Sequence, residues 1–234
     1  MTETTRRDEI AAGLARVEAD IASACRAVGR TREELTLIAV SKTYPASDVR
    51  LLAALGVTDV GENRDQEACV KARECADLDL TWHFIGQLQT NKVRSVVRYA
   101  DVVHSVDRSR LVTALSGEAV RAGRTITCLV QVALDDDPAR GGARPAEVAP
   151  LADVLAEAPG LRLGGVMAVA PLGEEPGRAF ARLREIAQVV RTDHPEAGVI
   201  SAGMSGDLAE AVANGATHLR VGTALLGRRK PFVR

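Results

Sequence analysis

The chain has 234 residues, 46% hydrophobic but only 3% aromatic, and its 30 basic and 31 acidic side chains leave a formal net charge of −1. That balance gives no reason to expect a nucleic-acid or membrane-surface protein, and the core has to be built from Ala, Val, Leu and Ile. The opening MTETTRRDEI lacks the apolar region of a signal peptide and no run approaches the ~18 apolar residues of a membrane span. Cys25, Cys69, Cys75 and Cys128 form no CxxC or His/Cys cluster, so reduced thiols in a cytoplasmic protein are expected.

Ile10, Leu14, Val17, Ile21 and Cys25 recur at three- and four-residue spacing, which predicts an amphipathic helix over 8–28, packed outside or at one end of the fold. From Thr36 the pattern alternates. A strand at 36–41 precedes a helix over 46–55 that ends at Gly56, and VTDVGEN is the second strand, followed by a helix over 64–76. TWHFIG (81–86) is the third strand and leads into a basic helix, TNKVRSVVRYA. ADVVHSV (100–106) is the fourth, after which Asp107 or Ser109 is expected to cap a helix running to 122. The fifth strand, TITCLVQVAL (125–134), is nearly continuously apolar, as a strand covered on both faces should be. An irregular DDDPARGGA segment then leads to a helix over 145–157. LRLGGVMAVA (161–170), a helix over 176–192, GVISAG (198–203), a helix over 206–213, THLRVG (217–222) and the short turn TALLG complete the pattern.

Eight strands in strict alternation with helices predict a parallel α/β sheet closed into a (β/α)8 TIM barrel, with an extra N-terminal helix. An open doubly wound sheet is the alternative, but no GxGxxG follows the first strand. With no linker or repeat in sight, one domain spanning 1–234 is expected, its barrel over 36–229.

Active sites of such barrels lie at the carboxyl ends of the strands. Lysine is scarce here, four against 26 arginines, yet Lys42 ends the first strand. A lysine can lose its proton when desolvated and attack an aldehyde, whereas arginine cannot; the alternative is a solvated strand-end lysine. Gly203, Ser205 and Gly206 after strand 7, with Gly222 and Thr223 after strand 8, sit where this fold usually cradles phosphate, although glycine turns and helix caps also explain them. An amine facing a phosphate cradle points to an aldehyde–phosphate, pyridoxal 5′-phosphate, held as a Schiff base on Lys42 whose pKa burial would lower. Arg220 either faces the pyridine nitrogen, keeping it unprotonated, or makes an outer-face ion pair. His83 is a strand histidine with a hydrogen-bonded core role as its alternative. Glu62 and Asp207 stand near the mouth either as general bases or, the favoured reading, as caps and supporting carboxylates, and His104 and His218 show no metal-ligand pattern.

The segments AVSKTYP, DVGENRDQE, WHFIGQLQTNKVR, HSVD, GVMAVAP and GMSGDLAEAVANGATHLRVGTALLGRR, spread from residue 39 to 229, closely resemble the YggS/PROSC family of pyridoxal phosphate homeostasis proteins. The resemblance implies a fold-type III barrel similar to that of alanine racemase and a vitamin B6 carrier that buffers the cofactor and passes it to apo-enzymes. By motif it implies Lys42 as the Schiff-base lysine and Asn63 beside the ring. It also implies Met204, Ser205, Gly206, Gly222 and Thr223 around the phosphate, Arg220 at the pyridine nitrogen, and His83 and Met167 lining the pocket. Ala133, Arg140 and Ala202 depart from the family pattern and leave the strand-5 loop less defined. No catalytic residue and no metal are expected, and the chain reads as a monomer. The competing function is a weak pyridoxal phosphate-dependent racemase or decarboxylase. Racemases of this barrel type use a second, β-rich domain with an opposing tyrosine, for which a chain ending at Arg234 leaves no room; Tyr44 is the nearest substitute.

Overall fold

The computed structural model describes residues 3–227 except 136, 138 and 139. The expected barrel end at 228–229 therefore lies outside the described residues. Eight strands, β1 (Thr36–Val40), β2 (Asp59–Glu62), β3 (Thr81–Phe84), β4 (Val102–Val106), β5 (Ile126–Gln131), β6 (Leu161–Met167), β7 (Val199–Ser201) and β8 (His218–Val221), close into one barrel in sequence order, every pair parallel. Helices α1 (Glu3–Ala27), α2 (Ala46–Ala54), α3 (Asp65–Glu74), α4 (Val93–Val96), α5 (Ser109–Ala122), α6 (Pro145–Ala156), α7 (Pro176–Asp193), α8 (Leu208–Ala213) and α9 (Thr223–Leu226) accompany them.

Strand alternation sorts the side chains into two cores. Leu37, Ala39, Phe84, Val103, Cys128, Val130, Val166, Leu219 and Val221 face the helices and join one large buried apolar cluster. The other face points into the barrel, where glycine makes room. A Cβ on Gly61 would meet Ile38 Cγ2 at 2.9 Å, and one on Gly164 would meet Thr127 Cγ2 at 2.7 Å. Helix α1 buries Ile10, Val17, Ile21 and Cys25, with burial of each large aliphatic contributing about 1.5–3 kcal/mol. It packs backbone to backbone on α9: a Cβ at Gly13 would stand 2.2 Å from the Leu225 carbonyl oxygen. Arg6 fastens the same corner, with Nη2 2.6 Å from Asp48 Oδ2 and donating to the Leu226 carbonyl at 3.0 Å.

Several expected elements are shorter. The basic segment after β3 is a 3-10 turn over Thr90–Lys92 and one α-helical turn, because Val93, Val96 and Val97 are all drawn into the core within five residues. Strand β5 leaves the ladder after Gln131: Gly141 and Gly142, both at positive φ, fold the following loop back so that Ala133 N donates to the Ala143 carbonyl at 2.9 Å. Strand β6 stops at Met167 rather than 170. Neither Asp107 nor Ser109 caps α5; Arg108 is the N-cap residue, and its guanidinium reaches Asp107 and the Leu88 carbonyl instead.

Candidate functional site

The carboxyl ends of the strands gather most of the residues singled out from sequence. Ile38 and Val40 point into the barrel, and two residues further Lys42 leaves β1 at the mouth. Lys42 is exposed, which corrects the expected burial: the strand has already ended at Val40 and the amine stands on the turn above it. That turn is strained, since Thr43, a β-branched residue, holds φ +69 with its N–H donated to Glu67 Oε2 at 3.0 Å. Tyr44 then donates its hydroxyl to the Gly227 carbonyl, tying the β1–α2 loop to the end of α9.

Beneath Lys42 lies a cluster that the sequence reading did not identify. Ser41 and Glu62 are fully buried, and Lys71, on α3, is 7% exposed. Lys71 Nζ is 2.6 Å from Glu62 Oε1 and donates to the Ser41 carbonyl at 2.7 Å, while Ser41 Oγ donates to the same Glu62 oxygen at 2.6 Å. Burial pushes the Glu62 carboxyl above the usual carboxylate range, against the bonds from Lys71 and Ser41. The peptide that carries Lys42 is thus anchored by a buried ion pair. Lys71, in the mostly polar helix DQEACVKARE, gives no such signal in sequence, because its partner Glu62 comes from another element.

Asn63 follows Glu62 at the rim, and its Oδ1 is buried with no hydrogen-bond partner among the described residues. Met167 closes β6 with its side chain buried. Gly203, at φ +92, turns the chain after β7, where a Cβ would meet Ala211 Cβ at 2.6 Å. Met204, Ser205 and Gly206 are exposed beyond it, and Asp207 Oδ1 accepts the Met204 amide at 2.5 Å, holding that turn. Gly222 passes close to β1, a Cβ there meeting the Val40 carbonyl oxygen at 3.1 Å, and Thr223 opens α9, whose first-turn amides face the same rim.

Arg220 points inward, not to an outer-face ion pair. It is 5% exposed, donates from Nη1 to Ser201 Oγ at 2.7 Å and from Nη2 to the Ala168 carbonyl at 2.9 Å, and has no carboxylate within 4 Å among the described residues. Burial lowers its pKa to about 10, with Asp207 acting weakly the other way. His83 lies below the mouth, on the inner face of β3, with both ring nitrogens engaged: Nε2 with Asp59 Oδ1 at 2.9 Å and Nδ1 with His104 Nε2 at 2.8 Å. Both nitrogens are thus engaged within the protein, the hydrogen-bonded core arrangement that was the alternative for this residue. Asp59 and Ser201, also on inner faces, were not singled out, and His104 was noted only as lacking a metal-ligand pattern; their period-two placement on the strands was the available signal. Of the departures from the family pattern, Arg140 pairs with Asp135 at 3.0 Å and donates to the Ala170 carbonyl at 2.7 Å, so it ties the β5–α6 loop to the end of β6.

Residues 14–230 match the family described as alanine racemase, N-terminal domain. The chain is 41% identical over 240 residues to the pyridoxal phosphate homeostasis protein of Mycobacterium leprae, covering 95% of this chain and 93% of that one. It is 39% identical over 228 residues to the protein of the same name from Escherichia coli K12, covering 95% and 97%. Its fold is similar to that of PipY of Synechococcus elongatus with PLP bound, at TM-score 0.82 and 38% identity over 93% of this chain and 100% of that one. Alanine racemase of Corynebacterium glutamicum, at 17% identity and TM-score 0.71, shares the barrel alone, over 62% of its length. Among the described residues no helix is long and apolar enough to cross a membrane. With its closed eight-stranded barrel and this sequence identity along nearly its whole length, the chain belongs to the pyridoxal phosphate homeostasis protein family.

Proposed function

We propose that this chain binds pyridoxal 5′-phosphate at the barrel mouth and serves as a carrier of it, with Lys42 as the covalent attachment point. When bound, the group supplies an electrophilic aldehyde that a primary amine captures reversibly as a Schiff base. The observation that carries the reading is Arg220: a buried guanidinium held only by the neutral acceptors Ser201 Oγ and the Ala168 carbonyl, with no carboxylate paired to it among the described residues, lies under the same mouth as the exposed Lys42 and keeps further N–H groups to donate. The orphaned Asn63 Oδ1, the open rim at Gly206 and the backbone brought close to β1 at Gly222 fit a planar ring and a phosphate.

In this reading Lys42 holds the aldehyde carbon, Asn63 and Met167 flank the ring, and Arg220 donates toward the ring nitrogen. Met204, Ser205, Gly206, Gly222 and Thr223 offer amides and hydroxyls to the phosphate. The buried Glu62–Lys71 pair keeps the Lys42 peptide in place. His83 lines the pocket from below with its ring, its nitrogens being held by Asp59 and His104. A carrier rather than an enzyme is favoured because Tyr44, the tyrosine nearest Lys42, spends its hydroxyl on the Gly227 carbonyl. The proposal extends to a cytoplasmic, monomeric, single-domain protein that passes the cofactor to apo-enzymes.

The test is to load the purified chain with pyridoxal 5′-phosphate and record its visible spectrum before and after borohydride. A reducible band in the native chain that is lost in Lys42→Ala is expected. A covalent adduct of equal yield in Lys42→Ala overturns the assignment, and steady racemisation of L-alanine by the loaded chain overturns the carrier role.

A further inference from the structure

Barrel interiors of this fold are ordinarily filled with Val, Ile and Leu. Here part of the interior is polar, and the polar groups are joined. Asp59 Oδ1 meets His83 Nε2 at 2.9 Å, His83 Nδ1 meets His104 Nε2 at 2.8 Å, His104 Nδ1 meets Ser201 Oγ at 3.0 Å, and Arg220 Nη1 donates to Ser201 Oγ at 2.7 Å. Five strands contribute one residue each. The chain runs from Asp59, the first residue of β2, at a groove on the floor that Leu14, Thr36 and Thr58 also line, up to Arg220 beneath the mouth.

Its direction follows from what each group can donate. An ionised Asp59 only accepts, and Arg220 only donates. With one proton on each ring, His83 must carry it on Nε2 to reach Asp59, so its Nδ1 is bare and accepts from His104 Nε2–H. That leaves His104 Nδ1 bare, able to accept the Ser201 hydroxyl proton, while the Ser201 oxygen accepts from Arg220. Every donor then points toward Asp59 and every group in the chain is satisfied. The environment agrees: although burial pushes Asp59 upward, the bonds from His83 and Thr58 outweigh it and hold the carboxyl below its usual range. Burial, with the Arg220 cation adding to it, holds His104 well below the ordinary histidine range, which keeps that ring neutral. His218 faces His83 from β8, ring centroids 6.3 Å apart, with Nδ1 engaged by Thr217 Oγ1.

We propose that Asp59, His83, His104 and Ser201 are positioning residues for Arg220, a one-way donor chain that fixes the guanidinium at the barrel mouth while its counter-charge is kept at the floor. A carboxylate beside Arg220 would neutralise it and compete for its donors. A neutral chain instead offers a single acceptor in a fixed place, and leaves the cation free to act on the ring. The inference rests on the reading that Arg220 faces the bound pyridoxal ring.

Two measurements test it separately. In the unliganded chain labelled with 15N-histidine, long-range proton–nitrogen correlation at neutral pH is expected to show His83 and His104 both as the Nε2–H tautomer. Asp59→Asn, which can donate or accept, is expected to abolish that single tautomer. A doubly protonated His83 or an Nδ1–H His104 in the native chain overturns the direction of the chain. In the chain loaded with pyridoxal 5′-phosphate, Asp59→Asn and Ser201→Ala are expected to shift the visible band, and Ser201→Ala to release the cofactor about tenfold faster on dilution. Bands and release rates matching the native chain in both variants overturn the positioning role. If Ser201→Ala does not fold, Asp59→Asn decides alone, its side chain being 20% exposed and its replacement isosteric. Absence of any visible band in the native loaded chain refutes the cofactor reading instead, and the tautomer measurement still stands.

Discussion

Replacing Lys71 by methionine tests whether the ground under Lys42 is held by charge. The Lys71 and Glu62 side chains are 8% and 0% exposed and meet at 2.6 Å, so both charges have given up their water. The pair as a whole adds little net stability, because the desolvation cost offsets most of the attraction. Removing one partner is different. Glu62 would keep only the Ser41 hydroxyl bond at 2.6 Å, and an uncompensated buried carboxylate costs about 3–5 kcal/mol. Burial already holds Glu62 above the ordinary carboxylate range despite Lys71 and Ser41. A carboxyl raised in the folded chain supports folding fully below its unfolded value, about 4.3, and that support is lost as pH rises through the folded value. Loss of Lys71 raises the folded value further, so the deficit is small near about pH 5 and grows toward about pH 8. Urea unfolding followed by far-ultraviolet circular dichroism at both pH values reads it directly. At about pH 8 the Lys71→Met variant is expected to lose about 3–5 kcal/mol, and Glu62→Leu with Lys71→Met to recover most of it. A deficit below about 1 kcal/mol, or an equal deficit at both pH values, refutes the reasoning.

Gly13→Ala pushes a methyl group onto the Leu225 carbonyl, 2.2 Å away, and is expected to cost about 1–3 kcal/mol in the same unfolding experiment; a neutral result means α1 and α9 slide apart freely. Cys128 is pushed up to about 12 by burial, and Cys25 and Cys75 are also buried, so a thiol reagent should label only the half-buried Cys69 in the native chain. Rapid labelling of a second thiol before unfolding contradicts that packing. Burial and His83 lower the pKa of His218 to about 4 and hold His104 well below its ordinary value, so the unfolded chain takes up more protons in acid. Stability is therefore expected to fall as pH drops from about 6.5 to about 4, and His218→Gln to flatten that slope, which a pH series of thermal midpoints checks.

The β/α alternation and the crowding of glycines after β7 and β8 were legible in the amino-acid order, whereas the direction of Arg220 was left open between the mouth and an outer-face ion pair. Period two along a strand and period 3.6 along a helix are local properties, and local properties survive in sequence. The exposed Lys42 and the shortened β5 were not, because strand ends are set by what packs against them: Thr43 closes a strained turn, and Gly142 brings Ala143 back onto Ala133.

Sequence alone determined that this chain is an eight-stranded barrel with a lysine at its first strand end and glycine-rich loops at its last two. Only the tertiary structure decided what stands behind those residues. Lys71 reaches Glu62 and the Ser41 carbonyl from the next helix, and His104 meets Ser201 across 97 positions of chain. Those contacts depend on barrel register and closure, which bring inner faces of separate strands together at distances that no spacing along one strand encodes.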